Sequence, residues 1–167
     1  MSTRQVSKPV VMAIRGTCFT LGVELALASE VVIAASDSKF AQLEVARAIM
    51  PFGGGTIRFP LAAGYANAMR YLLTGDSFNA EEAKAMNIVT EVVTPGEELD
   101  RAIELAQRIA DQAPLAVQAT LASARNRFDK SEQKLVFERL GSLMSTKDVG
   151  RGMQAFMTKT KAEFKGD

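Results

Sequence analysis

The chain has 167 residues, 47% of them hydrophobic, and a net charge of +1, which is enough for a domain with a sizeable core and gives no electrostatic case for nucleic acid. Histidine is absent and Cys18 is the single cysteine, so Ser-His-Asp and Cys-His catalysis, histidine-based zinc sites and internal disulfides are all excluded. The first residues lack the apolar stretch of a signal peptide, and the longest apolar run, 25–35, is broken by Ser29 and Glu30 and too short to span a bilayer. The sequence therefore reads as a soluble, cytoplasmic chain with no metal and no membrane partner.

In chain order, Val10 to Ile14 is a continuous apolar run that predicts a strand buried on both faces. Gly16 to Gly22 predicts a loop that feeds a short helix ending near Ala28. Val31 to Ala35 predicts a second buried strand, stopped by Ser36-Asp37-Ser38. Pro51-Phe52-Gly53-Gly54-Gly55 predicts a turn, with helices over 56 onward and over 65–74. Asn79 with Glu82 three residues later is an N-cap signal, and Ile88 to Val93 alternates like a strand. From Glu97 the pattern is helical, with further helices expected over 114–128, 131–145 and 149–165. Only about three strands are visible, followed by a long helical tail. Two strands needing cover on both faces make a poor core alone, so the chain is expected to begin inside a fold or to rely on other subunits.

Two glutamates sit in segments that should be buried: Glu24 in Gly-Val-Glu-Leu-Ala-Leu-Ala (22–28) and Glu44 in Phe-Ala-Gln-Leu-Glu-Val (40–45). Buried carboxylates are uncommon without partners and often mark acid/base chemistry. The pattern alone leaves plainer readings open. Glu24 reads equally as a solvated helical glutamate, and Glu44 as the ion-pair partner of Arg47 three residues on. The glycine cluster 53–55 reads as a structural turn or as a close-approach site, but not as a P-loop, because the Gly-Lys-Ser/Thr ending is missing. Cys18 reads as a packed thiol, and Lys159, Lys161 and Lys165 as a solvated helix face.

Lys-Pro-Val-Val-x-Ala-Ile-x-Gly (8–16), Gly-Val-Glu-Leu-Ala-Leu-Ala (22–28), Lys-Phe-Ala-Gln-Leu-Glu-Val (39–45), Met-Pro-Phe-Gly-Gly-Gly-Thr (50–56) and Leu-Leu-Thr-Gly-Asp (72–76) occur in one register with Gly-Met-Gln-Ala-Phe (152–156) and Lys-Ala-Glu-Phe (161–164). In this order they resemble the crotonase superfamily, the enoyl-CoA hydratases and isomerases, over the C-terminal two-thirds of a typical member. The resemblance implies an α/β fold, a spiral of ββα units with its N-terminal part absent. It also implies a partial core over 1–111 and a helical trimerisation region over 112–167, in a homotrimer or hexamer. Glu24 and Glu44 match the family's paired glutamates, which bracket a water that adds to an enoyl-CoA thioester. Leu21, Gly22, Gly53 and Lys159 are expected at the oxyanion and substrate-binding surface. No cofactor is implied, because coenzyme A belongs to the substrate.

Three departures from the family pattern stand out. The upstream Ala-Gly-x-Asp-type loop that gives the family's first oxyanion amide has no counterpart here. Thr20-Leu21-Gly22 replaces a Gly-Gly-Gly run, so that the second amide would be that of Leu21, with the leucine expected to resist the required backbone angles. Ala46-Arg47-Ala48 replaces Gly-Leu-Gly. The resemblance thus leaves hydratase, isomerase or other acyl-CoA chemistry, and a truncated, inactive assembly module, as expectations to separate.

Overall fold

The computed structural model describes residues 6–126 and 132–167; the expected helix ends at Phe128 and Ser131 lie outside them. The chain divides into two compact units, Val10–Leu105 and Ala106–Asp167 with the residues through Pro9. The division falls inside one amphipathic helix, α5 (Glu98–Ala110), ahead of the residue-111 boundary expected from sequence.

The first unit is built from two successive strand–strand–helix passages. β1 (Val11–Ile14), β2 (Thr17–Phe19) and α1 (Leu21–Ala26) form the first; β3 (Val31–Ala35), β4 (Lys39–Ala41) and α2 (Gly55–Ala63) form the second. Equivalent strands pair in parallel, Val11 opposite Val31 and Thr17 opposite Lys39, so one sheet collects the first strands and another the second strands. After α3 (Tyr65–Thr74), β5 (Ser77–Asn79) joins β4 antiparallel; after α4 (Ala80–Ala85), β6 (Glu91–Val93) joins β3 in parallel. The described residues thus hold more strands than the three expected. The additional ones, β2, β4 and β5, are three residues each, too short to show a period of two.

The long apolar runs behave as their composition requires. Val32, Ile33, Ala34 and Ala35 are buried, as a parallel strand covered on both faces must be. Behind the second sheet, the rings of Phe40, Phe59, Tyr71 and Phe78 stack or tilt against one another, with centroids 4.7 to 6.4 Å apart, within the range where aromatic pairs attract. Asn79 caps α4 through a full capping box with Glu82, as its spacing predicts. The strand expected over Ile88–Val93 is shorter, because the amides of Ile88 and Val89 both bond the Ala83 carbonyl at the end of α4.

The second unit contains the end of α5, then α6 (Pro114–Arg125), α7 (Glu132–Met144) and α8 (Lys147–Thr158). The helix expected to run to Lys165 stops at Thr158, where Lys159 turns left-handed at φ 55°. The tail then folds back on the start of α8. The buried Asp148 carboxylate accepts from the amides of Lys165 at 2.9 Å and Gly166 at 2.7 Å, and from Arg151. The Lys147 amide donates to the Asp167 carbonyl at 2.8 Å, and Arg151 and Lys147 pair with the Asp167 carboxylate. A helix through 165 would leave Asp148 buried without those donors, which is the costlier arrangement.

Burial alone would raise the Asp148 carboxyl, but the Lys165 amide, the Arg151 guanidinium and the Gly166 amide outweigh it and hold it below the ordinary range; Arg151 chiefly holds Asp167 lower still. Depressed carboxyls stabilise above their unfolded pKa of about 3.9 and lose that contribution as pH falls through the folded value. The tail should therefore stay clasped at neutral pH and release only well below pH 4, as pH falls through the depressed values of Asp148 and Asp167, with Asp148→Ala releasing it at pH 7. Trypsin cleavage at Lys161 and Lys165 should accelerate at least tenfold in the variant, and an unchanged cleavage rate would contradict the clasp.

Candidate active site

Each of the two glutamates follows the second strand of one passage, which is why they recur at similar intervals. Glu24 lies in the first turn of α1, a helix that buries Val23, Glu24 and Ala26. The turn into α1 is docked by the Thr20 amide, which donates to the Ala41 carbonyl of β4 at 2.9 Å. Thr20 has φ 48° and ψ −112°, a conformation natural to glycine and costing a β-branched residue about 1–3 kcal/mol. The backbone strain anticipated at Leu21 therefore falls one residue earlier. Leu21 itself is helical and 61% exposed, and its amide is among the first-turn donors that no intrahelical carbonyl reaches.

Glu24 is not a solvated glutamate: it is only 4% exposed. Its Oε1 accepts from the Gly53 amide at 2.9 Å and the Gly55 amide at 2.8 Å, and its Oε2 accepts from Gly53 at 3.0 Å. Gly55 opens α2 after Gly54, which takes φ 110°, so the carboxylate meets the positive end of that helix. Here the glycines matter for space. A Cβ on Gly53 would strike Glu24 Oε2, and one on Gly55 would stand 2.6 Å from Gln42 Nε2 and 3.0 Å from Glu24 Oε1. Two features that the sequence presents separately, a buried acid and a glycine turn, are a single contact.

Glu44 is also 4% exposed, yet its Oε2 has no hydrogen-bond partner among the described residues. It caps the single 3-10 turn Val45–Arg47 with its backbone, its carbonyl accepting from Arg47 and Ile49. The ion pair with Arg47 that the spacing allows does not form, because the Arg47 guanidinium turns to the Leu43 carbonyl at 3.2 Å. The other buried acids show how unusual this is. Glu24, Glu98 and Asp148 all accept from backbone amides, whereas Glu44 keeps one oxygen free of them. A buried carboxylate oxygen without a donor is costly, and such groups concentrate where chemistry is done.

The remaining residues expected at the site are placed as follows. Gly22 packs against Cys18, where an added Cβ would come within 3.0 Å of Sγ. Gly53 spends its amide on Glu24, while Lys159 belongs to the other unit, where it ends α8 and is exposed. Burial pushes the Cys18 thiol up to about 11, as suits a packing residue. Gln42 was not singled out by sequence, although it lies inside the Phe-Ala-Gln-Leu-Glu motif. It is fully buried, and neither of its amide atoms has a partner among the described residues. The same residues offer no group of three acidic or cysteine side chains able to hold a metal, and no helix is long and apolar enough to cross a membrane.

A family model described as enoyl-CoA hydratase/isomerase matches residues 1–167. The chain belongs to the enoyl-CoA hydratase/isomerase family. A crystal structure of a probable enoyl-CoA hydratase/isomerase from Mycobacterium abscessus is 49% identical, superposes with a TM-score of 0.96, and is matched over 99% of this chain and 65% of its own. A probable enoyl-CoA hydratase from Rhizobium meliloti is 38% identical over 95% of this chain and 63% of its own length. A crotonyl-CoA hydratase from Syntrophomonas wolfei is 36% identical over 95% and 62%. The chain thus spans just under two thirds of these relatives, and its paired strand–strand–helix passages are those of the crotonase spiral.

For this family member the Glu24–glycine contact sets a clear test. Gly55→Ala should lower the unfolding free energy by about 1–3 kcal/mol through overpacking against Gln42, Glu24 and Pro51. Gly141→Ala, where nothing lies within 4 Å of the new methyl, should be neutral or gain about 0.5–1 kcal/mol. Denaturant midpoints at constant m-value separate the two, and equal midpoints would contradict the packing.

Proposed function

We propose that the protein is an enoyl-CoA hydratase-type lyase that adds water across the double bond of a 2-enoyl-CoA, with Glu24 and Glu44 as its acid/base pair. The observation that carries the proposal is the contrast between two buried carboxylates of one unit. Glu24 is locked by the amides of Gly53 and Gly55, while Glu44 presents an oxygen that no group of the described protein engages. A held acceptor and an uncommitted one are what a water addition needs.

In the reaction the water oxygen bonds to the β-carbon as its proton passes to one carboxylate. The double-bond electron pair shifts toward the thioester, and the other glutamate, starting as the carboxylic acid, delivers its proton to the α-carbon, so the pair gains one proton and loses one per turnover. The enolate oxygen that forms on the way needs donors. The Leu21 amide is the donor proposed from this chain, with Gly22 giving the acyl thioester close access. Assembly into a homotrimer or hexamer is proposed with it. It is supported by the exposed Met153, Phe156 and Met157 of α8, of which Phe156 is 82% exposed, because exposed apolar clusters of this kind mark contacts.

The conjugated enoyl-thioester absorbance should fall when the protein, as its gene encodes it, meets a 2-enoyl-CoA. Product analysis should show the 3-hydroxyacyl thioester, and a shifted double bond would indicate isomerase chemistry instead. Glu24→Gln and Glu44→Gln should each reduce kcat by about 10²–10⁴-fold, and wild-type rates in both variants would refute the acid/base pair.

A further inference from the structure

The three glycines of the 53–55 turn do not share one role. Gly53 and Gly55 give their amides to Glu24 and leave no room for a Cβ beside it. Gly54 faces a different side chain: a Cβ there would strike Arg58 Nη1 and stand 3.0 Å from its Cζ. The guanidinium therefore lies against the Gly54 backbone, and its Nη1 donates to the Gly53 carbonyl at 2.9 Å. Gly53 thus gives its amide to the acid and its carbonyl to the arginine, and the turn is held between the two.

That carbonyl is passed over by the helix. The amides of Ile57 and Arg58 both bond back to the Gly54 carbonyl, at 3.1 and 2.9 Å, which leaves the Gly53 carbonyl to the Arg58 side chain. The arginine stands at a disadvantage to make this contact. It is the fourth residue of α2, in a first turn that carries no acid of its own, where a cation works against the helix macrodipole. An ion pair does not account for it, since the Gly53 carbonyl is the one partner of its side chain among the described residues. Gly54 has φ 110°, and glycine leaves the adjoining peptides free to swing unless something fastens them. A cationic donor on a carbonyl is a strong fastening.

We infer that Arg58 is a positioning residue: by fastening the Gly53–Gly54 peptide it keeps the amides of Gly53 and Gly55 aimed at Glu24, and so fixes that carboxylate for the acid/base step. The kinetic consequence rests on the hydratase reading, and the geometry does not.

Arg58→Met keeps a long side chain and removes the donors, whereas Arg58→Lys keeps a cationic donor. In the protein as its gene encodes it, Arg58→Met should lower kcat on the order of tenfold to 10²-fold, as misplacement of a reacting group costs, with KM within about twofold. Arg58→Lys should recover most of that loss. Amide hydrogen exchange followed by NMR supplies a readout that does not depend on turnover. Exchange at Gly53 and Gly55 should be faster by about tenfold or more in Arg58→Met, while the buried Ile33 and Ala34 of β3 keep their wild-type rates. An arginine that only stabilises the fold would speed exchange in β3 together with the turn and leave kcat per folded molecule unchanged, and that outcome overturns the inference. Unchanged exchange at Gly53 and Gly55 overturns it as well. Absence of any hydration by wild type, with the local exchange pattern present, would sink the hydratase reading and leave the clamp on the turn standing.

Discussion

The architecture around the site hangs on a carboxylate taken out of water and given to backbone amides. Ionised carboxylates are expensive to bury, and the chain meets that cost for Glu24 with two donors from the start of α2 and with glycines that let the acid come close. The contact ties the helix of the first passage to the helix of the second, across the parallel strands that place them in register. A residue proposed for the acid/base step is thus also a structural bolt. Removing the charge while keeping the shape separates those roles, whereas shortening the side chain would confound them.

The second unit solves the same problem in a different way. Asp148 is buried at the beginning of α8 and collects its donors from a chain segment that has already left the helix. Arg151 adds a cation on the same side and binds the terminal Asp167 as well. Both units therefore use a buried acid to fasten a distant piece of backbone, one to a helix start and one to a returning tail. Glu44 stands apart because no backbone comes to it. Its burial has no structural return among the described residues, and that is the physical ground for treating it as reactive.

The long buried strands, the capping box at Asn79 and the paired glutamates were legible in the sequence, because each leaves a local signature: an apolar run, a fixed offset, a charge where none belongs. The three-residue strands β2, β4 and β5 left none, and neither did the early end of α8, since tail capture by Asp148 depends on residues far apart in sequence. Local pattern also could not tell a solvated Glu24 from a buried one. The deciding partners, Gly53 and Gly55, lie 29 and 31 positions away. Gln42 shows the same limit from the other side: a glutamine at a strand end is unremarkable until its surroundings prove to be empty of partners.

Thr20 carries a consequence for how this chain can drift. It occupies backbone angles suited to glycine, at the joint where Leu21 and Glu24 are aimed. Because the strain is imposed by the fold rather than chosen by the side chain, the site acts as a one-way filter on variation. Glycine and asparagine are admissible at this position, while valine or isoleucine would add crowding to a conformation already disfavoured. Neighbouring lineages should therefore explore size and polarity at the exposed Leu21 and stay confined at position 20. Variation at Leu21 would then sit one residue away from the hinge that docks the start of α1 on β4.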